Sequence, residues 1–431
     1  MKMLVVLFLA MAVLPTPTVS QDYIEHITNP ICGTDSSAGY YCGYPTYFPM
    51  TNDTLRALVI FVNYPNGNWD PYTSNSNLIY MQYWPGTNQQ HLQKPGWADS
   101  VICPTTNNIW HPSLTGQIAQ SSNGRFWLIG DVYPSLVVTD SGYSYYSPPN
   151  GRRIGHAVKE IIDKVSPNVN WATYDKFDPC DIDSDGNRRE PDGQVDFIFV
   201  LFRFSVSSVT DPDINGYGYQ GIADLGGRNQ SFGDSSVIVR QGKKISAYWP
   251  GSGCIVEMHH KWFIGPAQHE FLFHYAFGYD VTNDLGSHNI QGGGLASARD
   301  REEMGWNFGN NYQPVSNTTN INLRDYVTTG DNIKIIRNGR TYYVENRRRL
   351  NYYSSLQFHG WRWTTNEPLM PVQSDSGLYI YNANNYNHCY HAYGKWSFAT
   401  CQNGRYKVLK PPYILQIIPE TVSRNYGLRV M

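Results

Sequence analysis

Charge is scarce in this chain and nearly balanced: 33 Lys and Arg stand against 35 Asp and Glu, 16% of 431 residues charged, for a formal net charge of −2. Nothing in that balance attracts a polyanion, so neither nucleic acid nor an anionic membrane surface is an expected partner. Long apolar runs are missing after the first 20 residues, so no later segment reads as a membrane span. Seven cysteines occur (Cys32, Cys42, Cys103, Cys180, Cys254, Cys389 and Cys401), but no Cys-x-x-Cys pair, which argues against a structural cysteine–zinc site. Internal repeats and a clean linker are lacking too, so no repeat architecture is expected.

What is present begins with a secretory pattern. Lys2 precedes an apolar stretch over residues 3–14, Pro15 and Pro17 end it, and small residues follow to Ser20. This predicts a signal peptide over residues 1–20 and a secreted, extracellular protein. Export makes disulfides the default state of the cysteines, with Cys32–Cys42 and Cys389–Cys401 close enough in sequence to staple short loops. An odd count leaves at least one thiol without a partner in the chain. Abundant Tyr (33), Trp (12) and Gly (38) suit a loop-rich extracellular protein, and Asn52, Asn229 and Asn317 sit in glycosylation sequons.

Periodicity places the elements. Residues 58–62 form a short β-branched run, hence a buried strand, followed by a loop-like stretch to about residue 120. Residues 126–138 read as one or two strands. Ile154, Val158, Ile161, Ile162 and Val165 recur at helical spacing, so residues 153–165 form an amphipathic helix. Residues 194–204 are the strongest strand and the candidate centre of a sheet. Residues 256–279 read as helical, at least from Phe263 on, with Pro266 in the first turn. A short helix at 296–304 precedes strands at 332–336, 341–345 and 378–381. The Arg347-Arg348-Arg349 run reads as a solvated strand end.

Chemistry concentrates in His269-Glu270-Phe271-Leu272-Phe273-His274, with Asp280 six residues further on. The zinc-protease pattern H-E-x-x-H sets two His one turn apart on one helix face, with the Glu beside them to activate water. Here one extra residue intervenes, which on a regular helix turns His274 about 140° away from His269. A π-bulge absorbs such an insertion. His269, His274 and Asp280 would then hold zinc, and Glu270 would act as general base. Glu270 and His274, four apart, are an alternative metal-binding pair that needs no bulge.

A second constellation, Asp181, Asp183, Asp185, Gly186, Asn187 and Asp192, follows calcium-loop spacing, with Asp192 at the twelfth position in place of the usual Glu. Calcium is therefore the second expected cofactor.

Taken in order, several segments resemble the immune inhibitor A family of secreted zinc metallopeptidases. They are Leu55-Arg56 into Asn63-Tyr64, Gly124 to Tyr133, Tyr174-Asp175 to Asp178, Asp192-Gly193-Gln194-Val195-Asp196, Ile264 to Phe271, Leu295 to Trp306, Tyr342 to Arg347, and Gly377 to Tyr381. The resemblance covers roughly residues 55–382. The family writes H-E-F-G-H-x-x-G-x-x-D where this chain has H-E-F-L-F-H-Y-A-F-G-Y-D, and Phe273 replaces its Gly.

The resemblance implies an α+β, zincin-like domain with a mixed sheet and an active-site helix, which hydrolyses extracellular protein or peptide substrates. The expected organisation is a signal peptide (1–20), an extended segment (21–54), the peptidase-like domain (55–382) and a small β-rich C-terminal part (383–431). The other reading is a relative without catalysis, kept as an extracellular structural, filament or binding protein.

Overall fold

In the computed structural model the described residues are chiefly 53–65, 93–107, 113–146, 153–178, 183–203, 221–257, 264–272, 295–313 and 320–348, with brief interruptions inside some of these spans. Short paired strands add backbone at 40–41, 44–45, 356–357, 372–373, 377–382, 389–391, 394–395, 415–417 and 428–430. Residues 1–20, the Cys32–Cys42 and Cys389–Cys401 pairings and the sequon asparagines Asn52, Asn229 and Asn317 lie outside the described residues. The chain divides into two compact units, Ile31–Asp280 with Trp361–Met370, and Met1–Pro30 with Val281–Gly360 and Pro371–Met431.

The unit containing Ile31–Asp280 is built on a mixed sheet. Its strands are β1 (Asp53–Asn63), β2 (Phe126–Val132), β3 (Val137–Val138), β4 (Ile198–Phe202), β5 (Gly221–Ile222) and β8 (Gly253–Glu257). Between β5 and β8 the chain forms the separate hairpin β6–β7 (Val237–Arg240 and Lys243–Ser246). The sheet order is β2-β1-β4-β8-β5, with β3 also on β1. β1 runs parallel to β2, β3 and β4, and β8 parallel to β4; only the terminal strand β5 is antiparallel, to β8. The expected central strand is confirmed: β4 lies between β1 and β8 with all five residues buried.

Side chains alternate across β1 and split the core in two. Leu58, Ile60 and Val62 meet helix α2 (Ile154–Val165) on one face. That helix buries Ile154, Val158, Ile161, Ile162 and Val165, the residues whose spacing predicted it. Helices α1 (Leu114–Ser122) and α3 (Ile264–Leu272) pack against each other, α1 also on β2 and α3 also on β8 and β5. Phe271 is the anchor of α3: fully buried, its ring lies 5.1 Å from that of Phe197, 6.1 Å from Phe199 and 6.4 Å from Phe126.

Two expectations need correction. The stretch to residue 120, read as loop, contains α1. Ser113 Oγ accepts the Gly116 amide at its start, and Asn123 closes its end in the left-handed conformation, φ 54°. Residues 256 and 257, read as the beginning of a helix, end strand β8 instead; Cys254, Ile255 and Val256 pair with Phe199, Val200 and Leu201. Among the described residues no helix is long and apolar enough to cross a membrane.

The other unit carries a second sheet in chain order: β9 (Asn311–Tyr312), β10 (Asn332–Arg337), β11 (Arg340–Arg347), β12 (Gly377–Asn382), β13 (Cys389–His391) and β14 (Gly394–Lys395). Only the β9–β10 pair is parallel. Helix α4 (Ala298–Glu303) opens with a capping box between Ser297 and Asp300, and Glu345 of β11 accepts the Ala298 amide at 2.6 Å. Arg347, expected at a solvated strand end, is instead buried and gives its Nε to Glu345 at 2.6 Å.

Candidate active site

Helix α3 brings its motif to the edge of the first sheet. With Phe271 sunk among Phe126, Phe197 and Phe199, a rotation of about 100° per residue sets Glu270 on the flank that faces β5. Glu270 is 4% exposed. A Cβ placed on Gly221 would stand 2.2 Å from Glu270 Oε1 and 2.6 Å from Cδ, so the carboxyl lies directly against the strand. Glycine at this position is what gives it room. His269 lies in α3 by its backbone, Pro266 falls in the first turn as expected, and His274 and Asp280 lie outside the described residues.

Two groups the sequence did not single out share this corner. Asp224, just past β5, is 0% exposed, and no donor makes a hydrogen bond to either carboxylate oxygen. Burial, followed by the charge of Glu270, raises its pKa well above the usual carboxylate range. The Gly227 and Gly226 amides, which point to the carboxylate, act in the opposite direction. Cys254 of β8 is a free thiol, fully buried; burial first, then Glu270 and Asp224, pushes its pKa far up, so it is an inert core residue. In sequence Asp224-Leu225-Gly226-Gly227 reads as an ordinary turn, and nothing in it signals a site.

The donor chemistry fits zinc. A helix carrying His and Glu, with the buried Asp224 carboxyl electrostatically coupled to that Glu, offers the nitrogen and oxygen ligand types zinc takes.

The acidic loop is arranged partly as its spacing predicts. Asp183, Asp185 and Glu190 bring one carboxylate oxygen each within 4.8 Å of one another. Successive side chains bind the amide two residues on: Asp183 takes Asp185 N at 3.3 Å, Asp185 takes Asn187 N at 2.6 Å, and Asn187 takes Arg189 N at 3.1 Å. Gly186, φ 85°, makes the bend. Asp181 lies outside the described residues. The trio contains Glu190, which the spacing did not single out, and Asp192 accepts the Gln194 amide at 2.6 Å. Burial, with the charges of Asp175 and Asp178, pushes the Asp192 pKa up to about 6.

Behind Asp192, Asp175 is fully buried with Lys243 Nζ 2.5 Å from its Oδ2, and Asp196 accepts the amides of Lys176 (2.8 Å) and Phe177 (3.2 Å). Burial raises Asp196 to about 8, with the charges of Asp192 and Asp175 adding to it. The folded chain thus keeps a proton there that the unfolded chain releases near pH 4. That stabilisation is full below the unfolded value and is lost as pH climbs towards 8. The melting temperature of metal-free protein is expected to fall between about pH 5 and pH 8, and Asp196→Asn to flatten the slope. A slope equal to wild type would mean that Asp196 does not titrate there.

Comparison with known proteins agrees with this picture over part of the chain. The model of the immune inhibitor A peptidase M6 catalytic domain matches residues 49–221. The pre-pro-metalloprotease PrtV of Vibrio cholerae serotype O1 is 25% identical over 159 residues, covering 34% of this chain and 17% of that protein, and PrtV of a second strain matches equally. The chain therefore spans a small part of these relatives. The family match contains the acidic loop and ends at Gly221, before α3. Over residues 49–221 the chain is similar to the immune inhibitor A peptidases, and the resemblance read in its sequence holds as that of a metallopeptidase-like protein.

Proposed function

We propose that the protein is a secreted zinc endopeptidase that hydrolyses peptide bonds of extracellular proteins or peptides. The observation that carries this reading is the contact between Glu270 and the terminal strand β5. It sets a buried carboxyl, fit to handle a proton, against a strand edge, and a strand edge is where an extended peptide can add itself by backbone hydrogen bonds. His269, His274 and Asp280 would hold a zinc ion, which would supply a bound water of lowered pKa and polarise the scissile carbonyl. Glu270 would act as general base, accepting the proton of the attacking water and passing it to the leaving amine nitrogen. Its burial keeps bulk water from competing for the proton. The loop from Asp181 to Asp192 would hold calcium through Asp183, Asp185 and Glu190, with Asp181, Asn187 and Asp192 as the remaining expected ligands. The run from Lys2 to Ser20 directs export.

Elemental analysis of the purified protein, joined to an assay on an unstructured polypeptide, tests this. One zinc per chain, calcium, and hydrolysis abolished by chelator are expected. Protein that carries calcium and no zinc, and leaves every peptide intact, would instead be the inactive extracellular relative that the altered motif spacing allows.

A further inference from the structure

Hairpin β6–β7 belongs to neither sheet, yet it touches the acidic loop at one end and the β5 side of its unit at the other. Near its turn, β7 closes the neck of the acidic loop. The Lys244 amide donates to the Gly193 carbonyl at 2.8 Å, and the Lys244 carbonyl accepts the Val195 amide at 2.9 Å. Lys243 reaches the opposite side of the same neck, where its ammonium stands 2.5 Å from Oδ2 of the buried Asp175. The two charges meet as an ion pair, without a directed hydrogen bond. Asp196 draws the two sides together by accepting the Lys176 and Phe177 amides. At the tip, the Gln241 side chain donates to the carbonyls of Ser166 (3.1 Å) and Val169 (2.8 Å), which fixes the turn beyond the end of α2. The far end of the hairpin is Ala247, directly after β7, whose carbonyl accepts the Gly226 amide at 2.6 Å. Gly226 lies just past β5, the strand against which Glu270 packs.

One short strand therefore joins the two places. A cation bound by Asp183, Asp185 and Glu190 would gather the loop and favour a closed neck, and a closed neck would in turn favour the cation. We propose that hairpin β6–β7 couples calcium binding in the acidic loop to the order of the β5 edge, with Lys243 as the positioning residue that holds the hairpin to the loop. This rests on the calcium reading above and adds control of the peptide-binding edge by calcium concentration. A Lys243 that acted only as a nearby positive charge would oppose calcium, and its removal would tighten binding. A Lys243 that holds the neck closed gives the opposite sign.

The test titrates calcium chloride into the calcium-depleted full chain and follows backbone hydrogen exchange with and without it. Lys243→Met is expected to bind calcium about tenfold more weakly than wild type. In the wild type, calcium is expected to slow exchange about fivefold or more in fragments containing Lys244 and in those containing Gly226, and Lys243→Met to lose the effect at Gly226. Lys164→Met, which takes an ammonium from Asp140 and Glu160 and none from the neck, should bind calcium as the wild type does. Should Lys243→Met fail to fold, Lys243→Gln reads the same quantities. Three results would each overturn the coupling and leave the calcium reading standing: affinity in the Lys243 variant equal to or tighter than wild type, an equal loss in Lys164→Met, or exchange in either fragment that ignores calcium. Wild-type protein that takes up no calcium overturns both readings together.

Discussion

Glu270→Gln is expected to lose peptide hydrolysis by about 10²–10⁴-fold while still carrying one zinc per chain. The amide keeps the size and most of the contacts of the carboxyl against β5, so fold and packing should survive. What it cannot do is accept the proton of the attacking water. The loss corresponds to roughly 3–5 kcal/mol of transition-state stabilisation, far more than a buried polar substitution of equal shape usually costs in folding. Steady-state kinetics with metal content measured on the same sample decides the matter. Activity kept within tenfold of wild type would remove Glu270 from the mechanism.

Gly221→Ala should come second in size, and it acts without touching the helix. The added Cβ would meet Glu270 at 2.2 Å from Oε1 and 2.4 Å from Cγ. Those atoms end a flexible side chain, whereas the strand is tied to Val256 of β8. The carboxyl should therefore give way and the backbone stay. A displacement of about 1 Å at a reacting group costs about a hundredfold in rate, while overpacking of this kind costs ~1–3 kcal/mol of stability. The expected signature is a fall in kcat/KM of about two decades, with zinc content unchanged and only a modest drop in melting temperature. Wild-type activity in this variant would mean that the Glu270–β5 contact has no part in catalysis.

The fold was legible where a single physical signal dominated. The apolar stripe of Ile154, Val158, Ile161 and Val165 has only one economical conformation, and the unbroken run of β4 fits only the middle of a sheet. Helix α1 was hidden because its stability comes from its ends, the Ser113 cap and the Asn123 reversal, rather than from an apolar period. Strand β8 was absorbed into the helix that follows because Ile255 and Val256 suit either state, and only pairing with β4 decides between them.

The site was legible to the extent that it lies on one segment. Glu270 announced itself through the residues around it, whereas Gly221 and Asp224 reach it from a strand distant in sequence, which no local pattern encodes. Loop spacing points to the twelfth position, Asp192, whereas the carboxylate that stands within 4.8 Å of those of Asp183 and Asp185 belongs to Glu190, which no position of the pattern singles out.

The position of Phe271 bears on how such a chain could come to carry its extra residue. An insertion ahead of that ring would have rotated Glu270 off β5 or pulled the aromatic cluster apart, and either would have been felt at once in folding. Against the H-E-x-x-H pattern the additional residue falls after Phe271, where the ring already fixes the register of everything upstream. A change of length beyond this point is thus screened from the aromatic cluster that anchors the helix.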